Sequence, residues 1–136
     1  MGQQHTLAII KPCAVQMRHV GKIITAIEQG GFAIKNLRMA TLTSELVREF
    51  YEEHLEKPFF PTLEAYMLEG SVVLMVLERE DAVAHWRALI GATNPAEAAP
   101  GTLRSLYGES VQRNALHGSD SPTSAEREIQ FFFPVS

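Results

Sequence analysis

Apolar residues recur along the chain with two different spacings, and the changes from one to the other mark out the elements. Thr6-Leu7-Ala8-Ile9-Ile10 is a β-branched and aliphatic run that predicts a buried strand, stopped after Lys11 by Pro12, which has no ladder donor. Val20, Ile23, Ile24 and Ile27 fall at i, i+3, i+4 and i+7, the stripe of an amphipathic helix, and Gly30-Gly31 ends it. Ala33 to Leu42 predicts a second strand of imperfect alternation. Thr43 is placed to cap the next helix, with Glu45 near its positive end. Leu46, Val47, Phe50, Tyr51 and Leu55 give that helix its apolar face. Pro58 breaks it, and a shorter helix presents Leu63, Tyr66 and Met67 before Gly70. Val72 to Leu77 is apolar throughout and predicts a central strand covered on both faces or nearly so. Asp81 is placed to cap a helix with Val83, Trp86, Leu89 and Ile90 inward. Glu128 to Phe133 predicts the closing strand, with Ile129, Phe131 and Phe133 on one face.

Between Gly91 and Ser124 the periodicity fades into short polar runs punctuated by Gly91, Pro95, Pro100, Gly101, Gly108, Gly118 and Pro122. So long an irregular stretch inside a compact domain is uncommon unless it is functional. The predicted order is β-α-β-α-α-β-α-loop-β. It suggests an α+β chain with a ferredoxin-like split βαβ arrangement: a four-stranded antiparallel sheet with helices on one face, plus a long functional loop before the last strand.

Composition narrows the function classes. With 136 residues the expectation is one domain, 1–136, that buries enough surface to need no staple. The single cysteine, Cys13, excludes an intrachain disulfide framework and a multi-cysteine metal site. A net charge of -4 argues against broad electrostatic binding to nucleic acid or an anionic membrane. The longest apolar run is far shorter than a membrane span, and polar Gly2, Gln3, Gln4 and His5 precede the first one, unlike a leader. The expectation is a cytoplasmic protein.

His117 is the first candidate for chemistry, in Asn114-Ala115-Leu116-His117-Gly118-Ser119-Asp120-Ser121. A neutral imidazole suits proton transfer or covalent transfer, and Ser119 and Asp120 offer it partners. On spacing alone, a histidine on a surface loop fits as well. His5, His19, His54 and His85 have no comparable setting. Lys11, Arg87 and Arg104 read singly as solvated charges; brought together, they would clamp a polyphosphate, with Thr93 and Asn114 adding neutral hydrogen bonds. No Gly-rich phosphate loop is present, so side chains would have to hold any nucleotide. Asp81 and Asp120, the two aspartates, are far apart in sequence, so a metal would arrive with the nucleotide phosphates. Adjacent Phe59 and Phe60 should divide between surface and core, an exposed one offering a face on which any base can stack. Cys13 is either an inert small hydrophobe or a thiolate nucleophile.

Taken together, these blocks resemble the nucleoside diphosphate kinase family. The resemblance runs through Thr6-Leu7-Ala8-Ile9-Ile10-Lys11-Pro12, Lys57-Pro58-Phe59-Phe60, Gly91-Ala92-Thr93-Asn94-Pro95 and Pro100-Gly101-Thr102-Leu103-Arg104, and ends at the His117 block. It implies that His117 takes the γ-phosphoryl of a nucleoside triphosphate as a phosphohistidine and passes it to a nucleoside diphosphate. Magnesium (Mg2+) would enter with the nucleotide. Lys11 is implied to contact the sugar and the transferring phosphate, Arg87, Thr93 and Arg104 the phosphates, and Asn114 the sugar. Phe59 would stack on the base, with Val111 on its other side. Tyr51, Ser119 and Glu128 match supporting positions, Glu128 orienting the imidazole. A base that is only stacked predicts broad base and sugar tolerance.

The chain departs from the family's usual Lys-Pro-Asp-Ala-Val in having Cys13, which removes a carboxylate but none of the residues matched to phosphoryl transfer. Cys13 also suggests sensitivity to oxidation. The short tail Phe133-Pro134-Val135-Ser136 resembles that of bacterial members. The resemblance implies a homo-oligomer built from dimers, with a tetramer favoured over a hexamer or a dimer. The competing reading is an RNA-binding module, since ferredoxin-like sheets serve that role, but the strands lack its aromatic pattern and the net charge has the wrong sign.

Overall fold

A computed structural model describes residues 3–134; the tail residues 135 and 136 lie outside the described part. The elements are β1 (Gln4–Ile10), α1 (Pro12–Gln16), α2 (Val20–Gln29), β2 (Ala33–Ala40), α3 (Ser44–Phe50), a single 3-10 turn (Glu52–His54) and α4 (Phe60–Met67). They continue as β3 (Val72–Arg79), α5 (Ala82–Ile90), α6 (Leu103–Tyr107), β4 (Leu116–Gly118) and α7 (Pro122–Phe132).

The four strands form one antiparallel sheet in the order β2-β3-β1-β4, the ferredoxin-like arrangement expected from the sequence. β1 sits at its centre, with Leu7 opposite Val76 on one side and Ile9 opposite His117 on the other. Successive strand residues point to opposite faces. The unbroken burial of Leu7 to Ile10 and of Val72 to Leu77 therefore means that both faces of β1 and β3 are covered, not one alone. β2 is an edge strand with most of its residues exposed, and it carries a bulge between Ile34 and Asn36.

The closing strand expected at Glu128 to Phe133 is a helix. Ser121 caps α7 by accepting a hydrogen bond from the Ser124 amide, and Pro122 opens its first turn, where a missing N–H costs nothing. Ala125, Glu128 and Phe132 are buried at helical spacing, a pattern that outweighs the alternation of Ile129, Phe131 and Phe133. The fourth strand is instead the short β4, inside the stretch expected to be loop. That stretch also contains α6. Thr43 caps α3 as expected, its hydroxyl accepting from the Leu46 amide. Asp81 starts α5 without a side-chain cap bond; its φ of 48° places it in the left-handed region, which aspartate tolerates.

Candidate functional site

His117 stands in the middle of β4, and three contacts fix its backbone surroundings. Trp86, fully buried on α5, donates its indole N–H to the His117 carbonyl at 3.0 Å. Gly118 makes that approach possible, because a Cβ there would lie 2.9 Å from the Trp86 ring. Ahead of the strand, Ala115 has a φ of 76°, and its carbonyl accepts from the Lys11 amide at 2.7 Å. A left-handed alanine is strained, and such residues persist where the surroundings hold them for a purpose.

The His117 ring is held by α7. Nε2 lies 2.8 Å from Glu128 Oε1, and the Ser119 hydroxyl donates to the same oxygen at 2.8 Å. Both carboxylate bonds favour the ionised form. Although burial pushes the Glu128 carboxyl up, His117 and Ser119 hold it below its ordinary range. With Nε2–H donating to a carboxylate, Nδ1 carries the free lone pair, and it has no protein partner among the described residues. Phe50 lies edge-on to the imidazole, with ring centroids 5.2 Å apart. Tyr51 is next, at 6.5 Å, with its hydroxyl buried and unpaired; burial and the nearby Glu128 carboxylate raise its pKa.

Two lobes of one cleft meet at His117, Tyr51, His54 and Thr93. The first is cationic, with Arg87 and Arg104 in its lining. Arg104 is 8% exposed and donates to the carbonyls of Gly91, at 3.0 Å, and Leu116, at 2.8 Å. Burial and the neighbouring Arg87 lower its pKa to about 10, so it stays charged at neutral pH. Arg87 is half-exposed and pairs with Asp120 at 3.0 Å.

The second lobe, a cavity of about 370 Å³, is more apolar, with Phe59, Leu63 and Val111 in its walls. Phe59 is 42% exposed while Phe60 is 3% exposed, the division anticipated for this pair. Lys11 also reaches this lobe. Its Nζ donates to Asn114 Oδ1 at 3.0 Å, and the Asn114 amide in turn reaches the Thr93 carbonyl at 3.4 Å. Burial, reinforced by Arg104, lowers the Lys11 pKa to about 7.

All the residues matched by the family resemblance gather here. Ser119 sits behind Glu128 and the others border the cleft. Sequence reasoning set aside one more. His54 ends the 3-10 turn, borders both lobes, and lies tilted against the Phe59 ring, centroids 5.5 Å apart, with a buried, unpaired Nδ1. Its one local signal was its place three residues beyond Tyr51. Cys13, by contrast, is no cleft nucleophile: it is 1% exposed, with Sγ 2.7 Å from the Tyr66 hydroxyl.

A sequence model described as nucleoside diphosphate kinase matches residues 4–136. This chain belongs to the nucleoside diphosphate kinase family. The Haemophilus ducreyi nucleoside diphosphate kinase is 49% identical over 130 residues, spanning 96% of this chain and 94% of that protein. The Desulfovibrio desulfuricans nucleoside diphosphate kinase is 51% identical over 130 residues, with the same coverage of 96% and 94%. Among solved structures, the Aquifex aeolicus nucleoside diphosphate kinase superposes with a TM-score of 0.95 at 44% identity, covering 97% of this chain and 96% of that one.

Proposed function

We propose that the protein, as one domain over 1–136, is a nucleoside diphosphate kinase that carries the γ-phosphoryl group of a nucleoside triphosphate on His117. The observation that carries this reading is the free Nδ1 of a ring anchored through Nε2, facing a cleft cationic on one side and apolar on the other. Nδ1 attacks the γ-phosphorus in line as the bond to the β-phosphate oxygen breaks, and the diphosphate leaves. A terminal oxygen of an incoming nucleoside diphosphate then attacks the phosphorus, the P–N bond breaks, and His117 is restored.

Phosphoryl transfer needs alignment and neutralisation of charge more than covalent help. Arg87 and Arg104 suit the phosphates, with Thr93 adding neutral contacts, and Lys11 suits the junction of phosphate and sugar beside Asn114. His54, which borders both lobes, adds its ring to the wall between phosphate and base. Phe59 and Val111 would sandwich the base. A base held by its faces is not read by its edge, which supports broad base and sugar tolerance. Magnesium enters as part of the nucleotide substrate: the carboxylates bordering the cleft are engaged, Glu128 by His117, Asp120 by Arg87 and Glu53 by Arg127.

The same reading places the enzyme in the cytoplasm; among the described residues no helix is long and apolar enough to cross a membrane. It also makes the protein a homo-oligomer built from dimers, with a tetramer favoured. Support comes from the open edge of β2, which presents Leu37 and Met39 at 54% and 58% exposure.

Incubation with γ-labelled ATP should give an acid-labile, alkali-stable adduct that unlabelled GDP discharges. His117→Ala should remove it; a variant that labels as well as the wild type would refute the assigned nucleophile.

A further inference from the structure

The turn that presents Val111 and Gln112 is closed on itself. The amides of Glu109 and Ser110 both donate to the Arg113 carbonyl, at 2.8 and 3.3 Å, and the Arg113 amide donates to Ser110 Oγ at 3.1 Å. A turn bonded in this way moves as a unit. Its side-chain ties to α4 and the residues just beyond it run, among the described residues, through Arg113. The guanidinium pairs with Glu69, bonds back to Glu109 at 2.9 Å, and lies over the Tyr66 ring, 4.9 Å from its centroid.

Tyr66 is a firm partner. It is 2% exposed on α4, and its hydroxyl lies 2.7 Å from Cys13 Sγ, which also approaches the Arg113 carbonyl at 3.8 Å. Phe59, at the N-terminal end of this same helix, and Leu63 within it line the apolar lobe together with Val111 and Gln112 of the turn. The lobe is thus lined from two separate segments, α4 and the 109–113 turn, and Arg113 fastens one to the other.

We propose that Arg113 is a positioning residue: by docking the 109–113 turn against α4 it sets the separation of Val111 from Phe59 and Leu63, and so the grip on a nucleobase. The proposal rests on the nucleotide reading above and deepens it. Arg113 makes no contact with His117 or with the arginines of the cationic lobe, so its effect falls on the base and not on the phosphoryl group. Geometry selects arginine here, because a planar guanidinium can pair with a carboxylate and lie flat on an aromatic ring at once.

The test is single-turnover phosphorylation of His117 by two donors, ATP and the base-free ribose 5-triphosphate, in the wild type, Arg113→Ala, Arg113→Lys and Glu69→Gln. For Arg113→Ala the half-saturating ATP concentration should rise roughly tenfold, with the maximal rate within about twofold of wild type. The rate with ribose 5-triphosphate should not change. Arg113→Lys should recover part of the loss and Glu69→Gln should show a smaller version of it, which also covers the case of an Arg113→Ala protein that does not fold. Equal losses with both donors, or an unchanged half-saturation for ATP, would overturn the proposal. A wild-type protein that accepts phosphate from neither donor would overturn the kinase reading and this proposal with it.

Discussion

Glu128 Oε1 lies 2.8 Å from Nε2 of His117, a contact between a helix and a three-residue strand that decides which ring nitrogen is free. Glu128 is itself fixed by the Ser119 hydroxyl at 2.8 Å, so the imidazole is held by a carboxylate that cannot easily turn away. Removing this partner leaves the ring free to flip or to place its proton on Nδ1, and either event hides the attacking lone pair. Glu128→Ala should slow formation of the phosphohistidine by roughly 10–100-fold, the usual cost of losing a ligand-orienting partner. Nucleotide affinity should barely change, because the carboxylate holds the ring and not the phosphates. Rapid-quench labelling separates the two; a loss confined to affinity would contradict this role.

Lys11 gives the protein two opposed responses to pH. Its amine titrates near 7 in the folded protein because burial, and then Arg104, disfavour the charge. Attraction for phosphate should therefore weaken as pH rises through about 7, and kcat/KM should fall with it. Bound phosphates favour the cation, so nucleotide binding above neutrality should take up a proton, seen by calorimetry in buffers of different ionisation enthalpy. Stability runs the other way. The unfolded chain, with its lysine near the ordinary value of 10.5, holds more protons than the folded one between about 7 and that value, so folding gains as pH rises across the window. Lys11→Met should abolish both responses and most of the activity. Cys13→Asp, which returns a carboxylate close to Lys11, should move the fall in kcat/KM to higher pH.

Trp86 and Gly118 should prove inseparable. The indole N–H gives the His117 carbonyl a second partner beside its ladder pairing with Ile9, and Trp86→Phe removes that bond at a cost of about 1 kcal/mol. Gly118→Ala drives a methyl group to 2.9 Å from the same ring, so either the indole or β4 must shift. Denaturant unfolding should show both variants destabilised. Phosphohistidine formation should fall further in Gly118→Ala, because the displaced strand carries the nucleophile.

The sequence made the long elements legible because burial in them follows a period. The stripe of Val20, Ile23, Ile24 and Ile27 became α2, and the unbroken run from Val72 to Leu77 became a strand buried on both faces. It misled at α7, where three spaced aromatic and aliphatic residues imitate alternation while Ser121-Pro122 carries the start signal of a helix. As a helix, that segment places Glu128 on one buried face with Ala125 and Phe132, which is how it reaches His117. β4 was not legible, since three residues are too few to display a period; its register is imposed by pairing with β1. The site residues were legible through a resemblance between sequence blocks rather than through spacing. His54 was not, because its value comes from a 3-10 turn that swings its ring beside Phe59.

The edge of the sheet gives the last prediction. β2 pairs with β3 on one side only, and its other edge offers backbone donors and acceptors to any strand that can reach them. Leu37 and Met39, two positions apart and so on one face of the strand, are both more than half exposed there. Charged residues usually protect such an edge, but Lys35 is drawn to Glu78 and Arg38 to the Phe132 carbonyl, leaving Leu37 and Met39 exposed. A second copy of the chain could pair edge to edge, burying all four side chains around a two-fold axis. In the dimer-built assembly proposed above, Leu37→Glu combined with Met39→Lys should therefore lower the mass seen by light scattering below that of the wild type. Because neither residue borders the cleft, the dissociated protein should still form the phosphohistidine, although it should unfold at a lower temperature. An unchanged mass would place the association surface elsewhere on the molecule.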